Sequence, residues 1–558
     1  MRRHITFILA SLIAVYSLGQ DVDIIFQDRE EVYFSFKAES MDEVNEIGRL
    51  VSVDNVNDEL LVYAYANKDG FEDFLNTGKK YTVHRHPGTL HQPRMKDNID
   101  ISKMGDWDYY PTYDAYVDMM YQFEANYPSI CDVFSIGTTN VGREILVARI
   151  SDNVGIVEGE PEFFYTSTMH GDETTGYVLM LRLIDYLLSN YGSNDRITNM
   201  ISEIDIYINP LANPDGTYYG GNNSVYGARR ANVYGVDLNR NFPDPEDGPH
   251  PDGNAWQTET MHFMEFAEEH NFVMSANIHG GEEVLNYPWD TYYDTTADNS
   301  WWVHVCRQYA DTVHLYSPWN YMNGFDNGIT LGSDWYSISG GRQDYMNYFH
   351  QCREFTLEIS DIKLLPANQL PDHWDWNYRS LLNYMEQVLY GVRGRITDSS
   401  DGMPLSAEVF IVGHEEDSSW VYSHLPAGKY NRPVHAGTYT FRFSKSGYFP
   451  KIVQGVQVAN DETTVLDVEL VNVTTIIEGD DNRVLDIYPN PARGNLVKIK
   501  SREDITGLWL YSLTGELLQH TRPNDNSVFI DVSGISPGTY IVRAEVDGKM
   551  MEQKLIRQ

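Results

Sequence analysis

Apolar and polar residues alternate with period two in short runs and recur with helical spacing in longer ones, and the succession of these two signatures divides the chain. Between Asp21 and about Asn98 the runs EVYFSFK (Glu31 to Lys37), LLVYAYA (Leu60 to Ala66) and YTVHR (Tyr81 to Arg85) predict strands. Met41 to Leu50 and Phe71 to Leu75 predict helices, so residues 20–98 read as a small α/β module that ends in a polar loop. From Ile99 to Tyr390 strands alternate with longer amphipathic helices. Strands are predicted at Glu144 to Ile150, Glu162 to Ser167, Ile204 to Ile208, Phe272 to Ile278 and Phe355 to Ile359. Helices are predicted at Asp114 to Tyr127, Thr175 to Tyr191, His262 to His270, Trp301 to Tyr309 and Ser380 to Leu389. The fold class is α/β: an α/β sandwich with a mixed, mostly parallel sheet, whose ligands belong at the carboxyl ends of the strands. Residues 391–473 and 482–558 change to short alternating strands separated by turns, predicting two all-β sandwich modules.

The first residues carry a different signal. Arg2 and Arg3 precede the apolar run Ile5 to Val15, and Ser17 and Gly19 supply small residues near a cleavage point, so residues 1–19 read as a signal peptide. The run is too short for a bilayer span, and no other stretch approaches that length, so no transmembrane segment is expected. At 558 residues the chain exceeds one core, and its formal net charge of -40 argues against nucleic acid or an anionic membrane as partner. A cationic ligand is the natural opposite. Cys131, Cys306 and Cys352 admit at most one bridge, so no disulfide scaffold is expected.

Candidate chemistry sits where strands end. In TSTMHGDE (Thr166 to Glu173), His170 and Glu173 stand three residues apart at a strand-to-helix junction, where an imidazole and a carboxylate can turn toward one point. His279 follows the strand Phe272 to Ile278 by the same topology and is the natural third ligand for a zinc ion. Glu358 is a lone carboxylate inside the apolar strand FTLEIS, a costly placement unless it serves a function. The loop Asp244 to Asp252 is acidic enough to hold calcium or to be merely solvated.

These residues carry a family resemblance. TMHGDE, NPDG (Asn213 to Gly216), RANVYGVDLNRNF (Arg230 to Phe242), NIHGGEEVLNYPWD (Asn277 to Asp290), GITLGSDWY (Gly328 to Tyr336), GGRQDY (Gly340 to Tyr345) and FTLEIS resemble, in order, the motifs of funnelin zinc metallocarboxypeptidases, nearer the regulatory branch than the digestive one. The resemblance implies one Zn2+ held by His170, Glu173 and His279, with Glu358 as general base and an arginine at the developing oxyanion. That arginine matches Arg230, with the adjacent Arg229 leaving the register open by one. It also implies that Asn239 and Arg240 grip the substrate's terminal carboxylate and that Tyr336 closes over it. Asp290 would lie in the first side-chain pocket with Gln343 at its floor, favouring a terminal Lys or Arg, although Arg342 brings a positive charge to the same stretch. Asp172 stands where digestive members carry a substrate-contacting arginine.

The resemblance also assigns the modules. Residues 20–98 look like a pro-segment, 99–390 the catalytic domain and 391–473 the transthyretin-like domain of the regulatory branch. Residues 482–558, opening on VLDIYPNPARGNL, are similar to the sorting domain of type IX secretion. The expectation is a carboxypeptidase acting on peptide or protein C-termini. It would reach the cell surface or medium through the periplasm of a Gram-negative bacterium, with the secretion machinery as partner. A cell-wall peptide amidase of the same superfold, or an inactive surface-binding protein, are the alternatives.

Overall fold

A computed structural model describes residues 22–473 and 485–558, except 28, 58, 102–104 and 106; the signal peptide lies outside the described residues. The chain divides into two compact units: residues up to Leu389 with Glu416–Ser419, and Tyr390–Glu415 with Trp420–Gln558. Among the described residues no helix is long and apolar enough to cross a membrane.

The first unit opens with strands β1 (Val32–Lys37), β2 (Ser52–Val56), β3 (Leu61–Ala66) and β4 (Tyr81–Val83) in the order β2-β3-β1-β4. Helices α1 (Met41–Gly48) and α2 (Lys68–Asn76) cover this sheet and share a core with Phe34, Phe36, Phe71 and Phe74. The expected helix at Phe71 to Leu75 is longer at both ends, because Asn67 caps it by accepting from the Gly70 N–H. Strand β2 is absent from the sequence reading. Its SVDNV has polar residues on both sides of Val53, which remains buried, and pairing with β3 rather than apolar pattern makes it a strand.

The larger sheet holds eight strands: β5 (Cys131–Thr138), β6 (Glu144–Ile150), β7 (Glu162–Ser167), β8 (Asp205–Asn209), β9 (Phe272–His279), β10 (Glu283–Tyr287), β11 (Ile329–Leu331) and β12 (Arg353–Ile359). Their order is β11-β10-β12-β9-β7-β8-β6-β5. The four central strands β12, β9, β7 and β8 run parallel, whereas β10, β6 and β5 join antiparallel, so the sheet is mixed. Register does the positioning. Pairing sets His279 beside Glu358 and Ile278 beside Ser167, so three strands deliver their ends to one place.

Helix α3 (Thr175–Asn190) leaves that place and packs across the sheet, buried along most of its length. It lies so close that a Cβ on Gly176 would come within 2.3 Å of the Ser167 hydroxyl and 2.6 Å of an Ile278 methyl. Helix α4 (Arg342–His350) packs on β12, where Arg342 and Glu354, both almost fully buried, pair at 2.9 Å. Helix α5 runs Leu370–Glu386, beginning ten residues before the expected Ser380, because Pro371 suits a first helical turn that its polar neighbours disguise. The three cysteines are buried and free.

The second unit is all-β. Residues 391–472 form a five-stranded and a four-stranded sheet around Val409, Phe441, Phe443 and Leu470. Residues 486–557 form a six-stranded sheet around Val497, Leu508, Val542 and Leu555.

The Gly176 contact generates a test. The variant Gly176→Ala forces α3 off the sheet and is expected to cost about 1–3 kcal/mol, read as a lower first transition in calorimetry. An unchanged transition would mean that the helix shifts freely at this point.

Candidate metal centre and active site

Strand β7 ends at Ser167, and the chain turns at once. Thr168, a β-branched residue, sits in the left-handed region (φ 63), held by its N–H to Ile278 O at 3.2 Å and by its hydroxyl to Glu173 O at 3.1 Å. Gly171 follows with no room for a side chain, since a Cβ there would lie 2.5 Å from the backbone of Gly216 and Thr217. This turn folds His170 and Glu173 back toward His279 at the end of β9, and all three are buried.

Their donor atoms converge. His170 Nδ1 is 2.9 Å from Glu173 Oε1 and 3.0 Å from His279 Nδ1, which is 2.8 Å from Glu173 Oε2. Two ring nitrogens and a carboxylate at these separations have more lone pairs than protons to share. They fit a metal ion, because N and O donors about 2 Å from tetrahedral zinc lie about 3.3 Å apart. Asp237 Oδ1 bonds His170 Nε2 at 2.9 Å, which leaves Nδ1 as the inward donor. Burial pulls the His279 imidazole down to about 4, keeping it in the neutral form that a ligand requires. On β12, burial followed by the Glu173 charge holds the Glu358 carboxyl well above the usual range, and its buried Oε2 has no protein partner.

The two adjacent arginines point in different directions. Arg230 is buried in the cleft, its Nε 2.9 Å from Asp237 Oδ2 and its Nη1 3.3 Å from Glu173 Oε1. Arg229 turns away and lies over the Tyr219 ring, 3.4 Å from its centroid. The cleft is also lined by Asn239, Arg240, Asp290, Tyr336 and Glu358. Arg240 Nη1 donates to Asn239 O at 2.8 Å, and Asn239 Oδ1 accepts from the Arg342 N–H at 2.9 Å. The Tyr336 hydroxyl reaches the carbonyl of Val53 at 3.3 Å.

Asp290 is held on several sides. Asn286 Nδ2 donates to it at 3.0 Å, and its own N–H bonds Asp344. Burial pushes its carboxyl up to about 6; the Asn286 and Gln343 amides and the Arg240 charge pull it down, while Asp244 adds to the rise. Gln343, matched to the pocket floor, is buried beneath the cleft, where its Oε1 accepts from the Thr356 N–H at 2.7 Å. Arg342 points elsewhere. Its guanidinium points into the layer between helix and sheet, pairing Glu354, bonding the Thr166 hydroxyl and lying over the Phe164 ring. Its charge is therefore neutralised outside the cleft. Asp172 meets the N-terminal module, accepting from the Tyr65 hydroxyl at 2.8 Å. In the acidic loop, Asp244 is occupied by the N–H groups of Glu246, Asp247 and Gly340 and by the Thr291 hydroxyl.

Three residues join the site without having been singled out from sequence: Asp237, Asp54 and Lys363. Lys363 Nζ bonds Glu173 Oε1 at 2.8 Å, Asp54 Oδ1 at 2.7 Å and Gly280 O at 3.0 Å. Its signal was available, since it is a lone cation in the apolar run IKLL five residues after Glu358. Asp54 offers none, being one acid in the polar stretch of β2.

Comparison with known proteins follows this geometry. Residues 116–380 match the family model "Zinc carboxypeptidase", 391–471 "Carboxypeptidase regulatory-like domain" and 486–558 "Secretion system C-terminal sorting domain". The carboxypeptidase N catalytic chain of Homo sapiens is 34% identical over 395 residues, covering 64% of this chain and 85% of that one. Carboxypeptidase D of Mus musculus is 35% identical over 366 residues, covering 63% of this chain and 26% of that protein, so the chain spans about a quarter of that longer relative. The crystal structure of carboxypeptidase A from Helicoverpa armigera shares the fold, with a TM-score of 0.50 at 20% identity over 64% of this chain and 96% of that one. With a buried His-Glu-His donor set at the ends of neighbouring parallel strands and these matches along its length, the chain belongs to the zinc carboxypeptidase family.

Proposed function

We propose that the chain is a secreted zinc carboxypeptidase that hydrolyses the last peptide bond of peptides or proteins and prefers a C-terminal Lys or Arg. The observation that carries this reading is one cleft in which His170, Glu173 and His279 converge beside Glu358 and Arg230, with Asp290 buried in the same wall. His170, Glu173 and His279 would hold zinc, which when bound would supply Lewis acidity to the scissile carbonyl and to the attacking water. Glu358 takes the water's proton and delivers it to the leaving amine, a role helped by a carboxyl whose pKa is raised. Arg230, fixed by Asp237, faces the carbonyl oxygen as charge develops there. Asn239 and Arg240 hold the free carboxylate, which confines cleavage to the chain end, and Tyr336 closes over it. Asp290 pairs with the cationic side chain, supported from below by Gln343 and unopposed by Arg342.

The net charge of -40 favours encounter with cationic peptides at low salt. The match of residues 486–558 supports export by the type IX route of a Gram-negative bacterium. The apolar run Ile5 to Val15 behind Arg2 and Arg3 favours a signal peptide at residues 1–19, and residues 20–98 are read as a pro-segment.

The chain is expected to hold one zinc and to release terminal residues from short peptides ending in Arg, Lys, Phe or Glu, fastest for Arg and Lys, with all release stopped by a chelator. Release that survives metal removal would sink the reading. In the Glu358→Gln variant kcat should fall by about 10²- to 10⁴-fold with zinc retained, the size of a lost general base. Asp290→Asn should lower kcat/KM for Arg-ending peptides at least about thirty-fold relative to Phe-ending ones, as expected when a buried charge pair loses one member.

The pH dependence has a definite sign. Only ionised Asp290 attracts a cationic side chain, and the charged groups facing it are Arg240, Asp244 and Asp344. Its carboxyl titrates at about 6, so the ratio of Arg-ending to Phe-ending kcat/KM should climb as pH rises through about 6 and flatten above it. A flat ratio from pH 5 to 8 would rule Asp290 out as the selecting charge.

A further inference from the structure

The cleft beside the candidate metal centre is lined by a residue of a different module. Asp54 projects from β2 on the side opposite Val53, which is buried in the module's own core. Its side chain is only 8% exposed. Tyr33 of the same sheet donates to Oδ2 at 3.2 Å, while Oδ1 meets Lys363 Nζ at 2.7 Å and Arg230 Nη1 at 3.6 Å. The neighbouring backbone is engaged as well, through Val53 O to the Tyr336 hydroxyl. The N-terminal sheet thus lays a carboxylate on two cations of the catalytic cleft.

The capacity of those cations identifies the site. An ammonium has three protons to donate, and Lys363 directs two of them at Glu173 and Gly280, groups of the catalytic domain itself. The third, with the edge of Arg230 beside it, faces an anion, and Asp54 is that anion. Glu173 and Asp237 remain as partners of the two cations, but the third ammonium proton is buried and would lose its acceptor without Asp54, and a carboxylate satisfies it best through a charge-assisted bond.

We propose that Lys363 and Arg230 form a carboxylate subsite of the cleft, filled in the intact chain by Asp54 and filled in catalysis by an acidic side chain of the residue preceding the scissile bond. This rests on the carboxypeptidase reading above. There the terminal residue's carboxylate goes to Asn239 and Arg240 and its side chain to Asp290, so an anion at Lys363 has to come from the penultimate residue. The preferred substrate ends in Asp or Glu followed by Lys or Arg. The strand β2 is then a competitor built into the chain, and substrate reaches the subsite only as Asp54 leaves it.

The test compares full-length wild type with Asp54→Asn, which keeps the side-chain shape and removes the charge. The substrates are N-acetylated peptides ending in Glu-Arg or Gln-Arg. Asp54→Asn is expected to raise kcat/KM about ten-fold or more and to favour Glu-Arg over Gln-Arg by about ten-fold, the size of one charge-assisted hydrogen bond. Calorimetry on chelator-treated, metal-free protein should show the same Glu-over-Gln preference in binding. Adding Lys363→Met to Asp54→Asn should abolish that preference while leaving the preference for Arg over Phe at the terminus. Equal rates for wild type and Asp54→Asn would overturn the proposal, as would equal binding of the two peptides by Asp54→Asn. Preferential binding of Glu-Arg without arginine release by the zinc-loaded protein would support the subsite and refute the carboxypeptidase reading instead.

Discussion

The site depends above all on the register of three parallel strands. Pairing of β9 with β7 and with β12 sets Ile278 beside Ser167 and His279 beside Glu358. A slip of one residue in either pairing would send a ligand or the base to the opposite face, since side chains alternate along a strand. The glycine-backed approach of α3 and the left-handed turn at Thr168 then leave His170 and Glu173 few directions in which to point. A zinc site needs its donors placed within a few tenths of an ångström, and rigid strand ends supply that more readily than free loops.

The second constraint is charge. Glu173, Asp237, Arg230, Lys363 and Asp54 are crowded into a poorly hydrated space, and burial of each is tolerable only through its neighbours. Arg230 lies between Asp237 and Glu173, Lys363 between Glu173 and Asp54, and burial of the cationic groups is outweighed by these carboxylates. The N-terminal module belongs to this arrangement rather than merely covering it. Glu31 accepts from the backbone N–H groups of Arg230 and Ala231, and Tyr65 donates to Asp172. The contact between module and cleft is therefore electrostatic at its centre and sensitive to the loss of single charges.

Around the candidate specificity pocket the same physics keeps opposite charges apart. Arg342, at the start of α4, finds Glu354 in the interior, whereas Asp290, whose N–H bonds Asp344 of the same helix, faces the cleft among Asn286, Gln343 and Arg240. A cation that looks poised to weaken a cationic preference is thus consumed by a buried partner. Gln343 lies beneath the pocket with its carbonyl oxygen committed to the Thr356 N–H.

The sequence by itself determined the alternation of helices and strands, the change to all-β modules after residue 390, and the local motifs in which His170, Glu173, His279 and Glu358 occur. Those features are legible because they rest on neighbours in the chain: period, caps, and a lone charge in an apolar run. Tertiary structure alone decided which of Arg229 and Arg230 enters the cleft, where Arg342 and Gln343 point, and that β2 is a strand at all. It alone brought Asp54 to Lys363, residues 309 positions apart. An ion pair of that kind leaves no periodicity and no local propensity in either segment; it exists because two surfaces distant in the chain each bring one buried charge that needs the other.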